Sequence, residues 1–272
     1  MFAEAIDVAS GFTFPYVGLR RRADGSVFTV VASFVVINSD GWVVTSAHIV
    51  EEMLAAMRSA EQAAADPGRP LSAELVTERT EIWALNPAAN SQLVGGRVNR
   101  AADLAIGRLE PFDPAWLPVA PVLRDTDTAP LRQGESVCRL GFPFHTVEAA
   151  WDGDENRFAL AKNAFPAPRF ALDGIISRFN RRTSVDGAEV TFVETSSPGL
   201  KGQSGGPLLD TAGRIIGIQS QTAHLDLGFD ARYPASDGQP VIERQFLNVG
   251  LATHVSDLRG ILDVEGAAYT LG

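Results

Sequence analysis

The sequence predicts an all-β fold, and three observations support this prediction. Short runs rich in β-branched residues recur along the chain, and clusters of Gly, Asn, Asp and Pro separate them. These runs do not alternate with helical segments as the strands of a parallel α/β sheet do. Only two segments of the chain are predicted to be helical. Many short strands joined by turns are typical of a β-sandwich or a β-barrel.

Each predicted strand is a short apolar run bounded by turn residues. The clearest is 26–37, SVFTVVASFVVI, which the turn signal NSDG at 38–41 joins to the next strand. Residues 142–171 are predicted to form a long loop whose aromatic side chains partly pack against the body, and 224–243 a polar insertion. The predicted strands are 26–37, 42–45, several within 75–109, 136–141, 174–177, 190–194, 206–209, 214–219 and 246–252.

Two helices are predicted. From Val50 to Ala64 apolar residues recur at helical spacing with charged residues between them, and the Pro-Gly pair at 67–68 ends the pattern. One face of this helix is expected to pack on the sheet, although it could instead bind a partner. Residues 253–262 are predicted to form a closing helix with Thr253 as its cap.

Composition indicates a globular chain that can bury a sizeable core. Of its 272 residues 45% are hydrophobic and 21% charged, and the net charge is -10. This acidic balance argues against nucleic-acid binding, because phosphate contacts need Lys and Arg. The single cysteine, Cys138, excludes an internal disulfide and is predicted to be a packed core thiol. Since the first residues are unlike a signal peptide and no apolar run could span a membrane, a cytoplasmic location is predicted.

The strongest local signal for chemistry is GQSGGP at 202–207. A serine hydroxyl becomes a nucleophile only when a base removes its proton, and neighbouring glycines let the backbone turn tightly around it. The backbone N–H groups of Gly202 and Ser204 are predicted to form an oxyanion hole. Alone, such a turn is weak evidence, since most turns rich in Gly and Ser are only turns.

Two further motifs supply the partners that a nucleophilic serine needs. TSAH at 45–48 ends a predicted strand at His48, and DLAI at 103–106 begins another strand with Asp103. A buried carboxylate must be paired, and orienting a histidine is one way to pair it. Taken singly, His48 could be a capping histidine and Asp103 a turn acid. Together with Ser204 they follow the chymotrypsin-type order His, Asp, Ser, which predicts these three as the catalytic residues.

The chain resembles the chymotrypsin/trypsin clan, and within it the protease domain of the bacterial HtrA/Deg branch. This resemblance implies one peptidase domain of two packed six-stranded antiparallel β-barrels, at about 12–120 and 121–252, with an added helix after His48 and a C-terminal helix at 253–262. The triad would lie in the cleft between the barrels. The stretches that carry the resemblance are 40–50, 103–106, 131–137, 140–143, 174–177, 202–208, 213–218 and 248–252.

The sequence departs from these families in three respects. Gln203 stands where digestive enzymes carry an acid that pairs with a freshly cut N-terminus, so no activating cleavage is expected. The chain ends about one helix past the last predicted strand, so a PDZ domain is not expected. Insertions at 51–75, 145–171 and 223–244 exceed those of a minimal domain. They could restrict substrates, receive an activating or regulatory protein, or be surface loops.

The resemblance also implies substrate subsites. The strand edge at 220–222 would pair with the substrate backbone, and the first specificity pocket would lie between this edge and Gly199. Because no acid stands at Pro198, a tryptic preference for Arg or Lys is not expected, and an apolar or medium-sized residue would fit. Lys201 could favour an acidic neighbour or simply be solvated. The predicted substrate-binding residues are Pro198, Gly199, Lys201, Ser220, Gln221 and Thr222.

These predictions together describe a serine endopeptidase that cleaves protein or peptide substrates through an acyl-enzyme, in limited or regulated proteolysis. No cofactor, nucleic-acid partner or membrane partner is expected. The histidines at 145, 224 and 254 lack the spacing of metal ligands, so no metal site is expected. The alternatives are a latent or non-catalytic protein that binds other proteins on the same fold, and an esterase that uses the same triad.

Overall fold

The computed structural model describes residues 1–65, 77–83, 91–184, 187–234 and 240–272, and most of their regular structure is strand. The strands of the first half form a six-stranded antiparallel sheet in the order β4-β1-β2-β3-β6-β5. They are β1 (Thr13–Arg22), β2 (Val27–Val36), β3 (Trp42–Ser46), β4 (Thr77–Trp83), β5 (Gln92–Asn99) and β6 (Leu104–Glu110).

An eight-stranded sheet contains most strands of the second half, in the order β13-β8-β11-β12-β15-β14-β7-β16. In addition, β13 pairs with β14. The strands are β7 (Val122–Leu123), β8 (Ser136–Gly141), β9 (Ala149–Asp152), β10 (Arg157–Leu160), β11 (Phe170–Thr183), β12 (Glu189–Thr195), β13 (Pro207–Leu209), β14 (Ile215–Pro234), β15 (Pro240–His254) and β16 (Thr270–Leu271). The β9 and β10 strands form a separate hairpin.

The turn predicted at 38–41 is confirmed, and it sets the direction of β3. The Asn38 side chain accepts a hydrogen bond from the N–H of Asp40 at 3.0 Å, and Gly41 has a φ of 81°. The N–H of Gly41 donates to the carbonyl of Asn38 at 3.2 Å, and Asn at the first and Gly at the fourth position are common in such a turn. The β3 strand pairs antiparallel with both β2 and β6. Its carboxyl end leads directly into α2 (Ala47–Ala65), and residues 45–48 lie at this junction.

Both predicted helices are present, and a third was missed. Val50 and Met53 of α2 are buried against Ala105, which confirms that one face packs on the sheet. The proline-glycine stop at 67–68 lies outside the described residues. The closing helix α3 (Val255–Glu265) is capped by His254, whose Nδ1 accepts the N–H of Ser256 at 3.1 Å, so the assignment of Thr253 as cap was wrong. The unpredicted helix is α1 (Ala3–Ser10).

The two insertions predicted as loops contain strands. The β9–β10 hairpin lies within 145–171, and its Phe158 is buried with Val147 against Val17 and Leu19 of β1. Phe158, Trp151 and Phe165 therefore pack on the body, which confirms that the aromatic residues of this segment partly pack. In 223–244, β14 and β15 continue as one long antiparallel pair, out to Pro234 and Pro240. Several large apolar side chains of this extension are exposed, among them Phe229 and Phe246.

The two large sheets share one buried core. Val35 and Ile106 of the first sheet belong to the same apolar cluster as Ile218 and Leu251 of the second. Cys138 is also buried, as predicted, and burial raises the pKa of its thiol to about 11. Polar contacts also join the sheets beside Ser204, where the N–H of Ser33 donates to the Ser204 carbonyl at 2.9 Å and the Ser46 hydroxyl donates to the Gln219 carbonyl at 2.8 Å. This junction positions the candidate site.

Candidate active site

His48 and Asp103 are held together by two independent contacts. His48 lies in the first turn of α2, immediately after β3, and its Nδ1 is 2.9 Å from Asp103 Oδ2. Its backbone N–H also donates to Asp103 Oδ1 at 3.0 Å. Asp103 precedes β6 with a φ of 50°, a left-handed conformation that Asp tolerates better than most residues. With this backbone conformation at the start of β6, the Asp103 carboxylate points to the imidazole of His48.

The electrostatics of this pair favour a charged Asp103. Burial opposes its ionisation, but hydrogen bonds from His48 and Ser220 outweigh burial and hold its pKa below the usual value. The hydrogen bond to Asp103 in turn raises the pKa of His48, against the opposing effect of burial. A carboxylate at Nδ1 fixes the neutral imidazole in the tautomer that carries its proton on that nitrogen. Nε2 is then left with the lone pair that a general base needs.

Ser204 lies in the same cleft as His48 and Asp103, and this cleft encloses about 640 Å³. The Ser204 hydroxyl donates to the carbonyl of Ser220 at 3.3 Å. Among the hydrogen bonds of the described residues, none joins Ser204 Oγ to His48. The structure thus brings the three predicted catalytic residues to one cleft, with the hydroxyl turned toward Ser220. Such loose contacts are common in catalytic sites without substrate and tighten when substrate binds.

The backbone before Ser204 has the form that the predicted oxyanion hole requires. The N–H of Gln203 donates to the carbonyl of Leu200 at 2.9 Å, and Gly202 between them has a φ of 101°. This is a type II turn, in which the third residue must have positive φ. A Cβ at Gly202 would lie 2.5 Å from the carbonyl oxygen of Phe142. Within the described part of the chain, the N–H groups of Gly202 and Ser204 donate to no acceptor, which leaves both for an oxyanion.

Gln203 holds this turn from inside the protein. Its side chain is fully buried, and its Oε1 accepts the N–H of Leu200 at 3.0 Å. Oε1 is therefore satisfied within its own loop, whereas Nε2 is buried and has no hydrogen-bond partner among the described residues. This contact is a physical reason for a site that forms without N-terminal cleavage.

Ser220 has a larger part in the site than the sequence predicted. Its hydroxyl donates to Asp103 Oδ2 at 2.5 Å, and its carbonyl accepts from Ser204. It was predicted only as a substrate-binding residue, because its contact to Asp103 spans more than a hundred residues of sequence. Pro198, the sixth predicted substrate-binding residue, does not line the cleft. The other five do: Gly199, Lys201, Ser220, Gln221 and Thr222.

The sequence did not identify several further residues around the cleft. Gln219 and Arg182 line it, and an ion pair between Glu51 and Arg100 stands at its edge. The hydroxyl of Ser33 donates to the carbonyl of Gly202 at 2.7 Å and so supports the turn from the first sheet. None of these residues stands in a motif, and the contacts of Ser33 with Gly202 and of Glu51 with Arg100 join segments that are distant in sequence.

The geometry agrees with what comparison with known proteins finds. Residues 32–218, more than half of the chain, match the family model described as a trypsin-like peptidase domain. The chain belongs to the trypsin-like peptidase family. Over 208 residues this trypsin-like peptidase is 28% identical to a probable periplasmic serine endoprotease, DegP-like, of Halomonas elongata, covering 74% of this chain and 30% of that protein. Over 123 residues it is 30% identical to the serine protease Do-like HtrA of Bacillus subtilis, covering 43% of this chain and 23% of that protein.

Solved structures show the same fold. The HtrA-type protease AlgW with tripeptide superposes with a TM-score of 0.54 at 18% identity, covering 97% of this chain and 62% of that one. A variant of AlgW with decapeptide gives the same score at 17% identity, covering 99% of this chain and 68% of that one. The predicted resemblance to the HtrA/Deg branch is confirmed by these relatives. The trypsin-like peptidase spans less than a third of the length of the curated relatives it matches.

One prediction is contradicted. A cytoplasmic location was inferred from the single cysteine and the unremarkable first residues, whereas the relative from Halomonas elongata is named a periplasmic enzyme. A single cysteine excludes an internal disulfide but is compatible with either compartment.

No helix in the described part of the peptidase is long and apolar enough to cross a membrane. Within the same residues, no cluster of three or more His, Cys, Asp or Glu is placed to hold a metal ion.

Proposed function

We propose that this chain is a serine endopeptidase in which Ser204 is the nucleophile, His48 the general base and Asp103 the residue that orients His48. The observation that carries the proposal is the 2.9 Å contact between Asp103 Oδ2 and His48 Nδ1, in the same cleft as Ser204. This contact keeps the lone pair on Nε2, the only ring nitrogen left to accept a proton. Membership of the trypsin-like peptidase family supports the same assignment.

The reaction follows from these roles. The Ser204 hydroxyl turns from the Ser220 carbonyl toward His48, gives its proton to Nε2, and its oxygen bonds to the substrate carbonyl carbon. The N–H groups of Gly202 and Ser204 stabilise the resulting oxyanion, each worth about 3 kcal/mol in the transition state. His48 then returns the proton to the leaving amine, the peptide C–N bond breaks, and water releases the acyl group by the same steps.

The proposed substrates are proteins and peptides. Residues 220–222 belong to β14, whose pairing with β13 ends at Ile218 while β15 covers its opposite edge. Gln219 still bonds through its N–H and carbonyl to Gly206 and Gly205, and beyond it the edge of β14 on the β13 side is open at the cleft. An extended peptide can pair its backbone with such an edge. The AlgW structures with bound peptides agree with this class of substrate.

We also propose that the whole chain is one peptidase domain built from two six-stranded barrels. The first sheet has six strands, and pairings link β8, β11, β12, β15, β14 and β13 in a continuous ring, since β13 contacts both β8 and β14. The proposed boundaries remain about 12–120 for the first barrel and 121–252 for the second, followed by the helix near the end of the chain.

One contact favours a regulated enzyme. Because the Ser204 hydroxyl is bonded to Ser220, activity requires a local rotation that a bound substrate or regulatory protein could promote. The long β14–β15 extension, with Phe229 and Phe246 exposed, is the insertion best placed to receive such a protein. In this account the enzyme acts in limited proteolysis. A latent or purely binding protein is the second candidate, and the same contact supports it.

Cleavage of unfolded casein tests the proposal. Wild type is expected to release peptides, while Ser204→Ala and His48→Ala, measured at the same concentration and with unchanged circular dichroism, release none. If wild type cleaves neither casein nor a library of unstructured peptides, the endopeptidase proposal is wrong and the binding protein is favoured. Equal cleavage by wild type and Ser204→Ala would point to a contaminating protease and remove Ser204 from the mechanism.

A further inference from the structure

Arg139 is a fully buried arginine whose contacts are all neutral. It lies in β8, and its Nη1 donates to the carbonyl of Ser197 at 3.0 Å and to the Ser197 hydroxyl at 2.7 Å. Its other contacts are to the Thr195 hydroxyl and the Gln219 side-chain oxygen. Among the described residues no carboxylate forms an ion pair with it. A buried charge without a counter-charge is costly, and this cost calls for a functional explanation.

The guanidinium is charged at neutral pH. Burial lowers the pKa of Arg139 to about 10, which still leaves it protonated by a wide margin. Its side chain makes hydrogen bonds through three of its nitrogens, so its position is fixed. The protein therefore holds one positive charge at a defined place in the second sheet.

Arg139 lies directly behind the wall of the cleft. Gln219, which accepts a hydrogen bond from Arg139 Nε, lines the cleft together with Ser204. A Cβ at Gly199 would lie 2.3 Å from Gln219 Nε2, and a Cβ at Gly250 would lie 2.2 Å from Arg139 Nη2. The absence of side chains at Gly199 and Gly250 therefore leaves the space that Gln219 and Arg139 occupy. One side chain, Gln219, separates the buried charge from the cleft.

This arrangement fixes the direction of the Gln219 amide. Because Arg139 donates to Oε1, only the NH₂ group is left for the cleft side, where it donates to the Gln221 carbonyl at 3.1 Å and lies beside Gly199. One N–H of this group bonds to the Gln221 carbonyl, so the wall next to the predicted first specificity pocket has one N–H donor left, backed by a positive charge. Such a wall suits an anionic side chain better than an apolar one.

The charged residues of the cleft that have no ion pair within the described part of the chain carry the same sign as Arg139. Lys201 and Arg182 line the cleft, and no ion pair involves either of them within the described part of the chain. The two acidic residues that line it are already paired, Asp103 with His48 and Glu51 with Arg100. A chain with a net charge of -10 therefore carries unpaired positive charge at this cleft. This distribution would attract acidic segments of a substrate.

We propose that the pocket beside Ser204 selects an acidic side chain, Asp or Glu, on the amino side of the scissile bond. Gln219 is the hydrogen-bond donor to that carboxylate, and Arg139 is the buried charge that compensates it. This inference rests on the proposed endopeptidase activity. It replaces the apolar or medium-sized residue that the sequence predicted for this pocket.

A series of peptides that differ only at the residue before the scissile bond tests the inference. The residues compared are Glu, Gln, Asp, Asn, Val and Lys, on a sequence that the wild-type enzyme cleaves. We expect kcat/KM for Glu over Gln, or for Asp over Asn, to be higher by about tenfold or more, since the paired peptides differ only in charge. Equal values within each pair, or a maximum at Val, would overturn the inference.

Two variants test which residue causes the preference for an acidic side chain. Gln219→Glu keeps the size of the side chain but neutralises Arg139 inside the wall, and we expect it to remove the preference for acidic residues. Lys201→Met removes a charge at the surface of the cleft and is expected to change the Glu/Gln ratio less than Gln219→Glu does. If the Glu/Gln ratio changed more in Lys201→Met than in Gln219→Glu, the preference would be assigned to Lys201, which would contradict the role of Arg139.

Labelling by a fluorophosphonate separates this inference from the proposed function. Wild type that is neither labelled at Ser204 nor active on any peptide would contradict the endopeptidase itself. Wild type that is labelled and cleaves peptides, but without preference for Asp or Glu, would contradict only the acidic pocket. If Gln219→Glu fails to fold, the wild-type peptide series still decides, because it needs no variant.

Discussion

The Ser220 hydroxyl donates to Asp103 Oδ2 at 2.5 Å, and the same carboxylate oxygen lies 2.9 Å from His48 Nδ1. The carbonyl of Ser220 meanwhile accepts the hydroxyl of Ser204. One residue of β14 therefore contacts both the acid and the nucleophile of the proposed triad. Ser220 thus links the residues that the first sheet contributes to the one that the second contributes.

Replacement of Ser220 by Ala tests this link. The variant removes one of the hydrogen bonds that keep Asp103 charged and oriented. A hydrogen bond to a charged group is worth about 1.5–3 kcal/mol, so we expect kcat/KM to fall by about 10- to 100-fold. Ser220→Thr keeps the hydroxyl and is expected to retain more activity than Ala. An alanine variant as active as wild type would show that Asp103 needs no support from Ser220.

The pH dependence of activity is expected to follow His48. Its hydrogen bond to Asp103 raises its pKa above the ordinary 6.5, and only the neutral imidazole can accept the Ser204 proton. Activity should therefore be full at alkaline pH and fall as the pH drops through a midpoint above 6.5. A profile of kcat/KM from pH 5 to 9 measures this midpoint, and a value at or below 6.5 would contradict this interpretation.

Asp103→Asn is expected to change the same profile in two ways. Without the carboxylate, the pKa of His48 should fall and the acid limb should move to lower pH. The amide also stops enforcing the productive tautomer, which costs about 10⁴-fold in kcat in enzymes with this triad. A variant with its acid limb unchanged would show that Asp103 does not act on His48. Circular dichroism should confirm that the fold is intact.

Gly202→Ala is expected to damage the oxyanion hole. Its φ of 101° and the carbonyl of Phe142, 2.5 Å from the position of a Cβ, leave no room for a side chain without a shift of the turn. Loss of one oxyanion donor lowers kcat by about 10²–10³-fold. Gly25→Ala is a matched control, because Gly25 has a φ of 84° in the β1–β2 turn with open space around it. Similar kcat for both variants would contradict the assigned role of Gly202.

The active site is expected to form without a free N-terminus at a particular residue. Gln203 Oε1 accepts the N–H of Leu200, so the turn that shapes the oxyanion hole is held inside its own loop. A chain with a short N-terminal extension and the same chain after removal of that extension should show equal kcat/KM. A gain of tenfold or more on removal would instead indicate activation by cleavage.

Short motifs singled out His48, Asp103 and Ser204, which the structure places in one cleft. His48 follows a strand that a clear turn starts, and Asp103 opens an apolar strand, so their positions are set by short-range pattern. The distances between them were not predictable, because they depend on how β3 and β6 pair. The helix after His48 was predicted from its period, and its buried face confirms that period.

The sequence failed where function depends on contacts between distant residues. Arg139 sits within an apolar strand, and its pattern does not reveal that the neutral side chains of Ser197 and Gln219 surround it. The β9–β10 hairpin is not predictable from the sequence, because acidic and aromatic residues interrupt the alternation expected of a strand. The long continuation of β14 and β15 was missed because exposed strands carry polar residues that also suit a loop.

Site mapping of a fluorophosphonate adduct tests the central claim most directly. The intact protein is treated with the reagent, digested, and the modified residue is located by mass spectrometry. We predict one phosphonylated serine, Ser204, with no adduct in Ser204→Ala and strongly reduced labelling in His48→Ala. Absence of any adduct in wild type, or modification that persists in Ser204→Ala, would contradict the assignment of Ser204 as an activated nucleophile.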